Sequence, residues 1–130
     1  MKIIITEEQL RLIVENEDND NLINLTAVYN SGIPPVEWDD MFKHLNNKKG
    51  DKYDGYYING DVYLSSSDIT ELNYLVKVGG NLDLRRTPIK SLPMLSYVGG
   101  SLDLVETPLS KVTTKKELRK QINVGGNIYR

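Results

Sequence analysis

The chain has 130 residues, one histidine, no cysteine and a formal net charge of −2. A chain of that length buries about two-thirds of its surface on folding, so one core can hold it without metal or disulfide staples. The composition excludes disulfides, thiolate metal sites and cysteine nucleophiles, and its mild acidity argues against sequence-independent nucleic-acid binding, which leans on Lys and Arg.

The opening Met1-Lys2-Ile3-Ile4-Ile5 is too short for a signal-peptide core, because Thr6-Glu7-Glu8 comes at once. No apolar run approaches the roughly twenty residues of a membrane span, so the expected location is the cytoplasm. Ile3–Ile5 suit a short strand. Thr6 with Gln9 has capping-box spacing, and Leu10, Ile13 and Val14 then recur as on one helix face, predicting a helix over 7–16. The apolar-free run Asn16–Asn21 predicts a solvated linker. Leu22, Ile23, Leu25 and Val28 suggest a second helix that ends near Ser31-Gly32. Pro35 sits near the start of a third, with Trp38, Met41, Phe42 and Leu45 on one stripe and Lys48-Lys49-Gly50 at its end. That stripe is read first as the core of an N-terminal cap and second as a ligand site. His44 has no evident partner.

Beyond a Tyr-rich bridge, Tyr53 to Ile58, the sequence repeats. Unit one runs from Asn59-Gly60-Asp61-Val62-Tyr63-Leu64 through Ile69, Leu72 and Leu75 to Val78. Unit two runs from Gly79-Gly80-Asn81-Leu82-Asp83-Leu84 through Ile89, Leu92 and Leu95 to Val98. Unit three starts at Gly99-Gly100-Ser101-Leu102-Asp103-Leu104 and continues to Leu109 and Val112. A fourth begins at Gly125-Gly126-Asn127-Ile128-Tyr129. The period is about twenty residues, and the third unit is lengthened by an insert over 113–122. In each unit two apolar residues separated by one point inward from a short strand, and only stacking gives them a continuous core. The glycine pairs are expected to supply positive φ at the corner before each strand. A hairpin over Tyr56–Leu64, around Asn59-Gly60, ranks second because the later units fix another register.

Gly79-Gly80-Asn81-Leu82-Asp83-Leu84-Arg85-Arg86-Thr87-Pro88-Ile89 and its counterpart Gly99–Leu109 carry a resemblance to the leucine-rich-repeat family, over roughly residues 59–130. The family's usual Asn after the strand is missing, and Thr87-Pro88 and Thr107-Pro108 occupy that region. The resemblance implies an α+β chain: a short leucine-rich-repeat-like parallel β-solenoid (59–130) capped by an N-terminal helical segment (1–58), in one unit. It also implies a tendency to bind proteins and no particular activity. The opening Lys2–Leu10 and the regular Val-Gly-Gly-x-Leu-Asp-Leu repeat look like small proteins of tailed bacteriophages.

The outward strand residues should stack into columns: Tyr63, Asp83, Asp103 and Tyr129; Ser65, Arg85 and Val105; Asp61, Asn81, Ser101 and Asn127. Neighbouring strands lie about 4.8 Å apart, so Asp83 and Asp103 should be close, and like charges opposed on a sheet are unfavourable. Arg85 and Arg86 relieving that repulsion is the first reading. A recognition face made of Tyr63, Asp83, Arg85, Asp103, Val105 and Tyr129 is the second. A hydrolytic carboxylate pair is a distant third. In the insert, Thr114 with Glu117 predicts a capped helix, Leu118 and Ile122 facing inward, and a basic exposed side of Lys111, Lys115, Lys116, Arg119 and Lys120. This side is read as solvated before it is read as a docking surface. A last strand at Asn127–Tyr129 leaves an edge that could pair with a second copy. The expected function is non-enzymatic and cofactor-free binding of a protein, for instance a host antiviral-defence component, and the alternative is a structural part of a phage particle.

Overall fold

The computed structural model describes residues 21–49 and 53–130. The strand expected at 3–5, the helix at 7–16 and all but the last residue of the linker lie outside them. The described chain is α+β, with two open parallel sheets. In order come β1 (Leu22–Asn24), α1 (Thr26–Asn30), a 3₁₀ turn (Pro35–Glu37), α2 (Trp38–Lys49), β2 (Gly55–Ile58), β3 (Val62–Tyr63), β4 (Leu75–Val78) and β5 (Leu82–Asp83). Next are β6 (Tyr97–Val98), β7 (Leu102–Asp103), α3 (Pro108–Val112), α4 (Lys115–Gln121), β8 (Asn123–Val124) and β9 (Ile128–Tyr129).

From β2 onward the chain visits the two sheets in turn. One has the order β1-β2-β4-β6-β8 and the other β3-β5-β7-β9. Equivalent residues of successive units pair in register: Val62 with Leu82, Leu102 and Ile128 in one sheet, and Ile58 with Val78, Val98 and Val124 in the other. These residues, with Leu64, Leu84, Leu104, Ile69, Ile89, Leu72 and Leu92, are buried. Each such side chain contributes about 1.5–3 kcal/mol on burial, and one unit alone has nothing to bury it against. The hairpin reading of Tyr56–Leu64 fails, because β2 and β3 belong to different sheets.

The glycine pairs do a different job from the one expected. Gly60 alone among these positions has a positive φ, 131°. A Cβ on Gly99 or Gly125 would instead run into the carbonyl oxygen of Gly79 or Gly99, in the unit before. The pairs are glycine because stacked backbones touch there. The left-handed positions fall on Ser66, Arg86 and Glu106, at φ 61°, 56° and 59°, once per unit just after the strand.

Two further expectations change. Leu22–Val28 is not one helix: Leu22 and Ile23 are buried in β1, paired with β2, and the helix begins only at Thr26. Asn24 causes the switch, since its Oδ1 accepts the Thr26 N–H at 2.9 Å, a local bond that favours a turn over further strand. Val112, expected inside, is 75% exposed, and Val124 occupies its column instead. The insert holds α4 with the predicted capping box of Thr114 and Glu117, and Leu118 and Ile122 are buried as expected.

The Trp38 stripe is core. Trp38, Met41, Phe42 and Leu45 are buried, and Trp38 meets Tyr29 and Tyr56 edge-on with centroids 5.8 and 6.5 Å away. Asp39 ties α2 to the repeats by accepting from the Tyr56 hydroxyl at 2.8 Å and from the Asn73 N–H at 2.9 Å. Burial first, and then the Asp39 charge and hydrogen bond, push the Tyr56 phenol well above its ordinary range. His44 is exposed. No described helix is long and apolar enough to cross a membrane.

Candidate functional site

The four-stranded sheet brings Tyr63, Asp83, Asp103 and Tyr129 into one column, strand by strand. Its ends are open aromatics: Tyr63 is 57% exposed and Tyr129 46%. Between them the two carboxylates share one guanidinium. Asp83 accepts Arg85 Nε on Oδ1 at 3.1 Å and Arg85 Nη2 on Oδ2 at 3.0 Å. Asp103 Oδ2 lies 3.4 Å from the same Nε. Each aspartate also accepts the backbone N–H two residues on, of Arg85 and of Val105, at 3.1 Å. Those local bonds fix the orientation of both carboxylates.

Hydrogen bonding to Asp83, followed by the charges of Asp83 and then Asp103, raises the Arg85 pKa above its already high ordinary value. The Arg85 side chain is 43% exposed, so the ion pairs add little stability. Their effect is positional: the buried Asp83 and the half-buried Asp103 hold a flat, half-exposed cation in place. Of the two arginines expected to relieve the repulsion only Arg85 pairs with the aspartates, because Arg86 turns aside to donate from Nε to Ser66 Oγ at 3.2 Å. Val105 and Ser65 sit half-buried beside this cluster.

The third column has a backbone role. Asp61 Oδ1 accepts the Asn81 N–H at 2.8 Å, Asn81 Oδ1 the Ser101 N–H at 2.7 Å, and Ser101 Oγ the Asn127 N–H at 3.1 Å. This polar ladder runs beside the strands, so its side chains are already engaged. In the insert, Lys111, Lys115, Lys116 and Lys120 are exposed, whereas Arg119 is committed to the carbonyls of Val124 and Gly126 at 3.2 and 3.0 Å.

A second outward column was not anticipated. In the five-stranded sheet Tyr57, Lys77, Tyr97 and Asn123 stand in register. Its signal in the sequence is the residue before each Val-Gly-Gly: Lys77, Tyr97 and Asn123. A groove between α2 and the loop after β3, lined by Val36, Asp40, Lys43, Ile69, Thr70 and Glu71, lies elsewhere than the Asp83–Asp103 pair. Both of those carboxylates are bound to the same guanidinium, so the hydrolytic reading draws no support from the geometry. Among the described residues no cluster of three or more His, Asp or Glu is placed to hold a metal ion. Compared with protein-family models, curated proteins and solved structures, the chain matches none.

Proposed function

We propose that residues 59–130 are a short leucine-rich-repeat-like solenoid and that the chain is a protein-binding module. Its partner docks on the strand face bounded by Tyr63 and Tyr129. In this reading the chain is phage-encoded and the partner is a bacterial host protein, such as a component of antiviral defence. The supporting observation is Arg85, whose half-exposed side chain is held between the buried Asp83 and the half-buried Asp103. A pre-fixed guanidinium and two rigid tyrosines lose little conformational entropy on binding, and Tyr and Arg are the residue types that dominate interface energetics. The units' matched registers support the solenoid, because each places its outward residues on the same face as the last.

The test is retention of a bacterial-lysate protein on immobilised wild type and on the triple variant Tyr63→Ala/Arg85→Ala/Tyr129→Ala, with folding of both checked by circular dichroism. The expected result is a partner held by wild type and lost by the variant. Equal retention by the two proteins overturns the proposal.

A further inference from the structure

The strand edges at the ends of the two sheets are finished differently. In the five-stranded sheet the carbonyls of Ile58, Val78 and Val98 accept from Gly79, Gly99 and Gly125 of the next unit, each at 2.9 Å. The second glycines repeat the pattern, Gly80 to Gly60 O, Gly100 to Gly80 O and Gly126 to Gly100 O, at 2.9, 2.9 and 2.8 Å. Beyond the last pair, Arg119 takes both places: Nη1 donates to Val124 O at 3.2 Å and Nη2 to Gly126 O at 3.0 Å. Its guanidinium fork substitutes for the two glycine amides of a further unit. At the start of the four-stranded sheet the Tyr63 N–H is likewise satisfied, by the Tyr29 hydroxyl at 3.1 Å.

β9 has no such closure among the described residues. The N–H groups of Leu102 and Leu104 donate to Asn127 O and Tyr129 O at 2.9 and 2.6 Å. Strand alternation therefore turns the N–H and C=O of Ile128 to the outer side, where no described strand lies.

We infer that β9 is a dimerisation edge, pairing antiparallel with β9 of a second copy about a twofold axis at Ile128. A residue that presents both its N–H and its C=O on one edge is complementary to itself in an antiparallel pair, so two Ile128 residues exchange both bonds. Head-to-tail stacking of a second copy as a further parallel unit is opposed, because Arg119 already occupies the Val124 and Gly126 carbonyls that such a unit would have to reach. The flanking residues also match: across the axis Asn127 stands opposite Tyr129, and within one chain the Asn127 amide already donates to the Tyr129 hydroxyl at 3.2 Å. Pairing this way joins the two four-stranded sheets and sets the two Tyr63-to-Tyr129 columns end to end on one face, offset by two residues along the strands.

The chain has no cysteine, so introduced thiols report on this pairing alone. Positions 127 and 129 of opposite copies form a non-hydrogen-bonded pair with Cα atoms about 4.5 Å apart, inside the range a disulfide spans. Both side chains are exposed, so the fold tolerates the changes. An equimolar mixture of Asn127→Cys and Tyr129→Cys proteins, distinguished by a tag and mildly oxidised, should give the mixed disulfide in about tenfold excess over either homodisulfide. Light scattering on the unmodified protein should show a mass rising with concentration toward twice the 14.8 kDa of one chain. A statistical mixture of disulfides, or a mass fixed at that of one chain, overturns the inference. Neither readout involves another protein, so both are independent of the proposed docking on the strand face.

Discussion

The second and third units begin alike and end differently. Both run Gly-Gly-x-Leu-Asp-Leu into Thr-Pro, and both threonines donate their hydroxyl to the carbonyl three residues back: Thr87 to Leu84 at 2.8 Å, Thr107 to Leu104 at 2.7 Å. In the second unit the chain then returns by irregular turns to β6. In the third, Thr107 also accepts the Ser110 N–H at 3.1 Å, Pro108 occupies the first turn, and α3 begins. α4 comes next and delivers Arg119 to the exposed carbonyls. The shared part builds the stack, and the divergent part closes it. An identical Thr-Pro serves as a loop brace in one unit and as a helix N-cap in the other, and the residues after the proline decide between them.

That contrast can be broken at its joints. The largest effect belongs to the glycines. Gly99→Ala drives a Cβ into a backbone carbonyl of the unit before, whereas at Gly79 the nearest obstacle is the end of the Asn59 side chain, which can swing away. Denaturant melts should show a loss of about 3 kcal/mol for the first and about 1 kcal/mol for the second. Equal losses would mean that backbone contact does not set the glycine requirement.

Tyr56 comes next and probes the join between α2 and the stack. Tyr56→Phe removes a hydrogen bond to a carboxylate, and thermal unfolding should show a cost of about 1.5–3 kcal/mol at neutral pH. Its folded pKa is raised, so its contribution is complete below the unfolded value of about 10 and is lost as pH climbs toward the folded value. The wild type should weaken above that pH, and the variant should show a shallower decline. Identical slopes would contradict a buried neutral phenol.

Thr107→Val should cost about 1 kcal/mol more than Thr87→Val, because only the first also removes a helix cap. Matched chemical-denaturation curves for the two variants check this. The smallest effect is at Arg119. Arg119→Ala should lower stability by about 1 kcal/mol or less, its donors being exposed to water. Hydrogen exchange should quicken at the amides of β8, next to the uncapped carbonyls, and leave β5 unchanged.

Much of the stack was legible because its burial requirement recurs. Leu82 and Leu102, Leu84 and Leu104, and Val78 and Val98 announce inward positions by their spacing alone, and the capping box of the insert is a local signal. The second sheet was harder to see. β6 is two residues long, and only Val98 of its pair faces inward, so alternation has almost nothing to register. The glycine pairs were misread because positive φ and close backbone approach select the same residue, and only the neighbouring unit distinguishes them. β1 was hidden by tertiary pairing: Leu22 and Ile23 fit a helix face until β2 lies beside them. Within the candidate site the columns came from the period. The sharing of Arg85 between two aspartates depends on rotamers, and Arg119 turning back to cap the edge depends on where β8 ends, and no periodicity encodes either.

The proposed docking face is the one around Arg85, which the stacked units would offer to a protein partner. With a partner captured, the decisive measurement is its affinity for Arg85→Ala beside a control, Lys90→Ala, an exposed residue that lies outside that column. The expected result is at least a tenfold weakening for Arg85→Ala, about 1.4 kcal/mol, and no change for Lys90→Ala. An Arg85→Ala protein that binds as tightly as the control would contradict it.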